Sequence, residues 1–197
     1  EMIKNKLKVC FVEVSSHGIH QKRVSGLKFK GMIFTNLTHD HLDYHKSFKN
    51  YLDSKLLLFR NLLKKNSNVV TDTDIPEYNI IKNISKKKQH KIFTIGSKKS
   101  SLELLKHNYK DDKQLFQIKY KNKTYDTEVK LVGKIQIKNI LMAMILAEKS
   151  NLKFNKIVKS INKIKNVSGR FEKIGNLKNN SKVILDYAHT PDALEKC

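Results

Sequence analysis

The stretch "GMIFTNLTHDHLDYHKSFKNYLDSKLLLF", Gly31 to Phe59, carries the reading of the fold. It opens as a strand, because "GMIFTNL" is a short apolar and β-branched run of the kind buried in a sheet. The run ends in the polar "THDH". A helical period follows, with Phe48, Tyr51, Leu52, Lys55, Leu56 and Phe59 on or near one stripe. Ser47 stands where an N-cap is expected. Strand, polar loop and helix in that order are half of a β–α–β unit.

Working outward, "KVCFVEV" (Lys8 to Val14) reads as another buried strand and ends in "SSHG". Downstream, "NVVTDTD" and "KIFTIG" (Lys91 to Gly96) read as short strands, and "GSKKS" after them as a loop. Strands alternating with helices predict an α/β fold with a mostly parallel central sheet flanked by helices. "QLFQIKYKNKTYDTEVKL" (Gln114 to Leu131) alternates polar and apolar residues around "KNK", which predicts a small antiparallel hairpin. Helical patterns follow from Lys138 to Lys149 and from Phe154 to Lys165. A last strand, "KVILDYAHTPD", meets a turn at Pro191. Sites in parallel sheets lie outside the carboxyl ends of the strands, where "SSHG" and "THDH" both fall.

Composition bounds the function. The net charge is +22, which on its face points to nucleic acid or an anionic surface. Of the 40 basic residues, however, only Arg23, Arg60 and Arg170 are arginine, and the lysines are spread along the whole chain. That pattern reads as compositional drift on solvated faces. No helix-turn-helix, finger or RNP-like motif accompanies it, so no nucleic-acid partner is expected. A basic nucleic-acid-binding module stands as the alternative from another class. The two cysteines, Cys10 and Cys197, form no disulfide framework. No apolar run approaches the ~20 residues that span a bilayer, and the first strand lacks a cleavage site. A cytoplasmic monomer without membrane contacts is expected.

Three residues invite chemistry. Glu13 interrupts an apolar run, where a carboxylate is costly unless paired or bound to a cation. His41 beside Asp40 suits proton transfer or metal binding, although loop histidines are common. Lys55 lies on the apolar stripe of its helix, either snorkelling to solvent or desolvated beside a site. No GxxxxGK[ST] phosphate loop occurs anywhere.

The ordered blocks "EVSSHGIHQKR", "IFTNLTHDHLDYH", "YLDSKLLLF", "LVGKIQIKN", "SGRFE" and "LDYAHTPDALE" cover most of the chain. Together they resemble the central domain of the Mur ligases, and within that family the tripeptide-synthetase branch. Folylpolyglutamate- and cyanophycin-synthetase-like ligases are the nearest alternatives. The resemblance implies ATP-dependent addition of meso-diaminopimelate or L-lysine to UDP-MurNAc-L-Ala-D-Glu through an acyl phosphate, with ATP and Mg²⁺ as cofactors. It implies that Glu13 and His41 are magnesium ligands, with Lys55 joining them if carbamylated, and that these three are catalytic. Ser15, Gln21 and Arg23 match positions that hold the UDP-MurNAc-dipeptide. Asn139, Arg170 and Asp186 match the nucleotide side, with Tyr187 and His189 beside them. In "GKIQIKN" the family's phenylalanine is Ile135 and its first asparagine Gln136, while Asn139 is kept. Residues 1–185 read as the central domain and 186–197 as the start of a linker. The family's phosphate loop is expected before Glu1, so the chain reads as a fragment, inactive by itself.

Overall fold

The computed structural model describes residues 1–38, 40–97, 99–110, 113–179 and 181–195. Three parallel strands form the central sheet in the order β1 (Phe29–Ile33), β2 (Leu63–Asp72), β3 (Lys91–Ile95). Strand β2 is in the middle, and its side chains alternate between two cores. Val69 belongs to one and Val70 to the other, and both are fully buried. The neighbours repeat the pattern: Met32, Phe34 and Ile92 face the first core, and Ile33, Phe93 and Ile95 the second. A sheet covered on both faces explains why these strands read as continuous apolar runs.

The first core is closed by α1 (Ser16–His20), α3 (Phe48–Leu57) and α4 (Tyr78–Lys87), through Ile19, Tyr51, Leu56 and Ile81. The second is built around α5 (Lys134–Lys149). Ile137, Ile140, Leu141, Met142, Met144 and Ile145 are all buried, covering most of the helix circumference. A helix apolar on so many sides must be sandwiched. Here the central sheet lies on one side, and on the other an antiparallel meander of β4 (Leu102–Lys110), β5 (Lys113–Tyr120) and β6 (Lys123–Val129). Helix α6 (Phe154–Ser160) closes the end, with Phe154 stacked on Tyr120 at 4.0 Å. A hairpin of β7 (Glu172–Asn176) and β8 (Lys182–Leu185) follows, then the short α7 (Pro191–Glu195).

The α/β class, the parallel sheet and the antiparallel region agree with the expectation. The hairpin around "KNK" is β5–β6, and Ser47 caps α3 by accepting from the Asn50 amide at 3.1 Å. Helix α3 continues through a π turn at Leu58–Leu62. One expected strand is corrected. Residues 8–14 take no regular secondary structure and enter no sheet, and Val9, Phe11 and Val12 are exposed. A β-branched run becomes a strand only where a partner edge supplies its hydrogen bonds, and β1 pairs with β2 alone. Helix α4 and strands β4 and β7 have no counterpart in the sequence reading. Strand β1 also starts and ends earlier than "GMIFTNL", because the chain leaves the ladder after Phe34, whose amide still reaches the Val70 carbonyl at 2.9 Å.

Ile145→Ala is expected to lower unfolding free energy by about 2–5 kcal/mol, the usual cost of emptying a core site. Ile174→Ala, at an exposed position of β7, should stay within about 0.5 kcal/mol. Urea denaturation of the two variants checks this, and equal effects would contradict the placement of the core.

Candidate functional site

The polar ends of the two segments singled out above meet at one cavity. Its volume is about 640 Å³, and Glu13, Ser15, Ser16, Thr35, His41, Tyr51 and Lys55 line its polar end. Four of the nine residues anticipated for a site, Glu13, Ser15, His41 and Lys55, therefore share one wall.

His41 sits in the left-handed region at φ 58°, at the N-terminus of α2 (Leu42–His45). A non-glycine residue there is uncommon, and such strain gathers at functional turns. Asp40 holds the turn: its carboxylate accepts the His41 amide at 2.7 Å and lies 3.5 Å from His41 Nδ1. The ring is also pinned edge-on by His17 at 4.8 Å.

Lys55 is drawn inward. Its ammonium donates to the Asn36 carbonyl at 2.9 Å and lies over the rings of Tyr51 (5.0 Å) and Phe34 (5.4 Å). Burial pushes its pKa down, against the opposing pull of Glu77 and Asp40. Of the two readings open at the sequence level, the desolvated lysine is the one the geometry matches. Glu77, whose charge bears on Lys55, is a residue that pattern alone does not single out. It is buried, and its Oε2 has no hydrogen-bond partner among the described residues.

Glu13 departs from expectation. Its carboxylate is exposed at the cavity mouth rather than buried, because the segment carrying it has no strand beside it. Ser15 caps α1, accepting from the Gly18 amide at 3.1 Å. The hydroxyl proton is left available to donate. Gln21 and Arg23 are exposed after α1 and do not line the cavity.

Behind this wall His45 is a buried wedge. Its Nε2 is 3.0 Å from Ser16 Oγ and its Nδ1 3.4 Å from Ser54 Oγ, and the ring stacks on Tyr51 at 5.1 Å. One imidazole thus joins α1, α2 and α3. Tyr44 reaches His20 Nδ1 at 2.9 Å beside it. His39 lies outside the described residues.

The positions matched to the nucleotide fall in two places. Asn139 is exposed on α5. Arg170 lies over the Tyr187 ring at 5.3 Å, in the β7–β8 region. Asp186 there accepts the amides of Phe171 (2.6 Å) and Ala188 (2.7 Å), which ties the hairpin to the following loop. Neither hairpin strand contributes to either core. The start of α5 is fixed by a pair not foreseen in the sequence. Lys138, next to Asn139, lies 2.6 Å from Asp72, a fully buried carboxylate at the carboxyl end of β2.

Comparison with known proteins gives this arrangement its context. The Mur ligase middle domain pattern matches residues 1–147. The chain belongs to the Mur ligase family. It is 35% identical over 196 residues to the UDP-N-acetylmuramoyl-L-alanyl-D-glutamate–2,6-diaminopimelate ligase of Rickettsia bellii, covering all of this chain and 40% of that protein. It is 34% identical over 184 residues to the ligase of the same name from Chelativorans sp., covering 93% of this chain and 38% of the relative. A solved structure of such a ligase superposes with a TM-score of 0.77 at 28% identity, over 92% of this chain and 37% of the other. A mutant folylpolyglutamate synthetase from L. casei shares the fold alone, with a TM-score of 0.73 at 17% identity, over 99% of this chain and 47% of the other. The chain thus spans about two fifths of the curated relatives it matches. No helix among the described residues is long and apolar enough to cross a membrane.

The wedge makes stability depend on pH. Burial holds the His45 pKa below its usual 6.5, and the neighbouring charges of His17, His20 and His41 push the same way against Asp43. The unfolded chain therefore binds the proton more readily, so stability is full above about 6.5 and is lost as pH falls below it. Urea midpoints measured from pH 7.5 to 5.0 should decline, and His45→Gln should flatten the decline. An unchanged slope in the variant would remove His45 as the cause.

Proposed function

We propose that these residues form the nucleotide-handling middle domain of an ATP-dependent ligase joining 2,6-diaminopimelate to UDP-MurNAc-L-Ala-D-Glu, with a domain boundary near Leu185. The reading is carried by one observation: Glu13, Ser15, His41 and Lys55 converge on one cavity at the polar ends of β1 and the 8–14 segment. Relatives named for that substrate pair and that amino acid supply its chemistry. L-Lysine specificity has no such support.

In the proposed reaction the substrate's terminal carboxylate oxygen attacks the γ-phosphorus of ATP, giving an acyl phosphate and ADP. The amine of diaminopimelate adds to the acyl carbon, and the tetrahedral intermediate expels phosphate, leaving the amide. Little covalent work falls to the protein, so positioning and charge neutralisation dominate. Arg23 would grip an anionic group of the substrate with a two-pronged fork that lysine lacks. Ser15 would donate its free hydroxyl proton, with Gln21 beside it. Asn139, Arg170 and Asp186 would contact base, phosphate and ribose.

The donors at the cavity suit magnesium in type. One carboxylate, Glu13, and the imidazole of His41 face the same space. No group of three ligating side chains occurs among the described residues. Magnesium characteristically keeps several waters and leans on substrate phosphates, with one or two protein ligands. When bound, Mg²⁺ would neutralise charge building on the transferred phosphoryl group. Lys55 has the lowered pKa that favours reaction of its free amine with CO₂, which forms a carbamate and releases a proton. The product would place a carboxylate on a wall that now holds a cation.

Two measurements test the proposal. In the ligase polypeptide that contains these residues, ADP formation should require both UDP-MurNAc-L-Ala-D-Glu and 2,6-diaminopimelate. Lys55→Ala and His41→Ala should each lower kcat/KM about 100-fold or more, whereas the 197 residues alone should release no ADP. Activity with a folate and glutamate instead would overturn the reading. Second, ¹³C-bicarbonate should give a carbamate resonance that Lys55→Arg abolishes. A resonance that survives the substitution assigns the carbamate elsewhere.

A further inference from the structure

Helix α5 has no side-chain cap. Gly133 stands at the N-cap position with φ 90°, and the first turn holds no acidic residue. Local sequence therefore does not set the direction of the first turn. Two contacts from elsewhere in the fold set it instead. Gln114 of β5, itself buried, donates to the carbonyls of Leu131 (2.7 Å) and Gly133 (3.2 Å), which holds the chain as it enters the helix. Just past the first turn, the Lys138 ammonium donates to Asp72 Oδ2 at 2.6 Å.

The anchor under Lys138 is fixed in turn. Asp72 is 1% exposed, and its other oxygen accepts the Asp74 amide at 2.9 Å. The Asp74 carboxylate accepts the Ser97 amide (3.1 Å) and hydroxyl (2.7 Å), and lies 3.9 Å from the Lys138 ammonium. Gly96 closes the other side. At its φ of 131° a Cβ would collide with Thr73 Oγ1 and fall 2.9 Å from Asp72 Oδ1. The ends of β2 and β3 thus form one seat for a single ammonium.

Stability alone does not account for the pair. Ile137, Ile140 and Leu141 already bury this part of α5 in the second core. Apolar side chains of similar volume in place of a buried ion pair often hold a fold equally well. Direction is what apolar contact supplies poorly and a short charge-assisted bond supplies well. Asn139 is the next residue, and it is exposed. Seating Lys138 therefore aims Asn139, because the two share one stretch of helix. A side chain that is already aimed loses less freedom when a ligand binds.

We infer that Lys138 is a positioning residue for the nucleotide: seated on Asp72, it orients the start of α5 so that the Asn139 carboxamide is aimed before ATP arrives. This rests on the reading of Asn139 as a nucleotide contact proposed above, and adds to it a residue that no motif marks.

The test uses the ligase polypeptide that contains these residues. Lys138→Met alone strands the buried Asp72 charge, so the main variant is Asp72→Asn with Lys138→Met, which removes both charges at nearly constant shape. Expected for it are a KM for ATP and a calorimetric Kd for ADP each raised about tenfold. Its kcat, its KM for UDP-MurNAc-L-Ala-D-Glu and its urea midpoint should hold. Asn139→Ala should raise the same two nucleotide constants by a similar factor. Adding the double substitution to Asn139→Ala should then change them by less than about twofold, because the pair acts through Asn139. Lys138→Arg, which keeps a charge within reach of Asp72, should recover most of the affinity. An unchanged ADP Kd in the double variant would make the pair purely structural. Factors that multiply in the Asn139→Ala background would mean that Lys138 acts by its own charge. A urea midpoint and a UDP-substrate KM that shift together with the nucleotide constants would mean general loosening of the fold. Each of these overturns the inference and leaves the nucleotide reading standing. Nucleotide constants unmoved by Asn139→Ala would instead remove that reading, and the inference with it.

Discussion

The structure depends on β2 being buried on both faces. A strand in that position cannot spare a polar side chain to solvent, so Val69 and Val70 commit successive residues to opposite cores. Burying two such side chains stabilises the fold by roughly 1.5–3 kcal/mol each. The greater effect is on register, because a one-residue slip would exchange the two faces and everything packed on them. Parallel pairing with β1 and β3 follows, and with it the gathering of strand ends on one side. The anion-rich end of β2 is part of the same device. Asp72 is buried at the last position of the strand and is neutralised by Lys138 from α5. The pair locks the helix of the second core to the sheet at the carboxyl end of β2. Removing one partner would leave a buried charge uncompensated, which costs more than the pair contributes.

The first core has its own lock in His45. Three short or irregular elements, α1, α2 and α3, would hold poorly by apolar contact alone. A neutral imidazole bonded on both nitrogens and stacked on Tyr51 joins them at one point. This accounts for much of the crowding in "THDHLDYH". Asp40 shapes the turn, His41 faces the cavity, Tyr44 closes on His20, and His45 turns inward. Four neighbouring polar residues serve four different tasks, and only one of them points at the cavity.

Much of this is legible in the sequence where local pattern and burial agree. The parallel strands 68–72 and 91–95, the β5–β6 hairpin and the cap at Ser47 all follow from periodicity and turn chemistry. What fails does so for physical reasons. Residues 8–14 have the composition of a buried strand, and composition says nothing of whether a partner edge lies within reach. "LELLKHNYK" carries leucines at helical spacing, yet pairs as β4 because β5 offers it a ladder along its whole length, broken only by a bulge at Leu105. "EKIGN" is short and contains a glycine, so β7 exists only through β8. In the site, the loop histidine and the inward lysine are visible as anomalies of pattern. Glu77 and Asp72 are not, because a carboxylate at an element boundary looks ordinary until its burial is known.

The arginines carry the same lesson into electrostatics. In a chain with three arginines among 40 basic residues, each one retained invites reading as a required fork. Arg60 answers otherwise: it meets Asp53 at 3.3 Å, and both side chains are well exposed. Such a pair contributes little to stability. Arg170 lies over Tyr187, where a planar guanidinium does what an ammonium does less well. The scarcity therefore sorts the three by surroundings rather than by identity. The +22 charge obeys the same logic. Lysine on solvated faces sets the long-range field and the salt dependence of encounters with anions. Discrimination falls instead to the few charges that burial has changed. Lys55 is the clearest of them: it shares its chemistry with the other 36 lysines, and its position under Phe34 and Tyr51 with none of them.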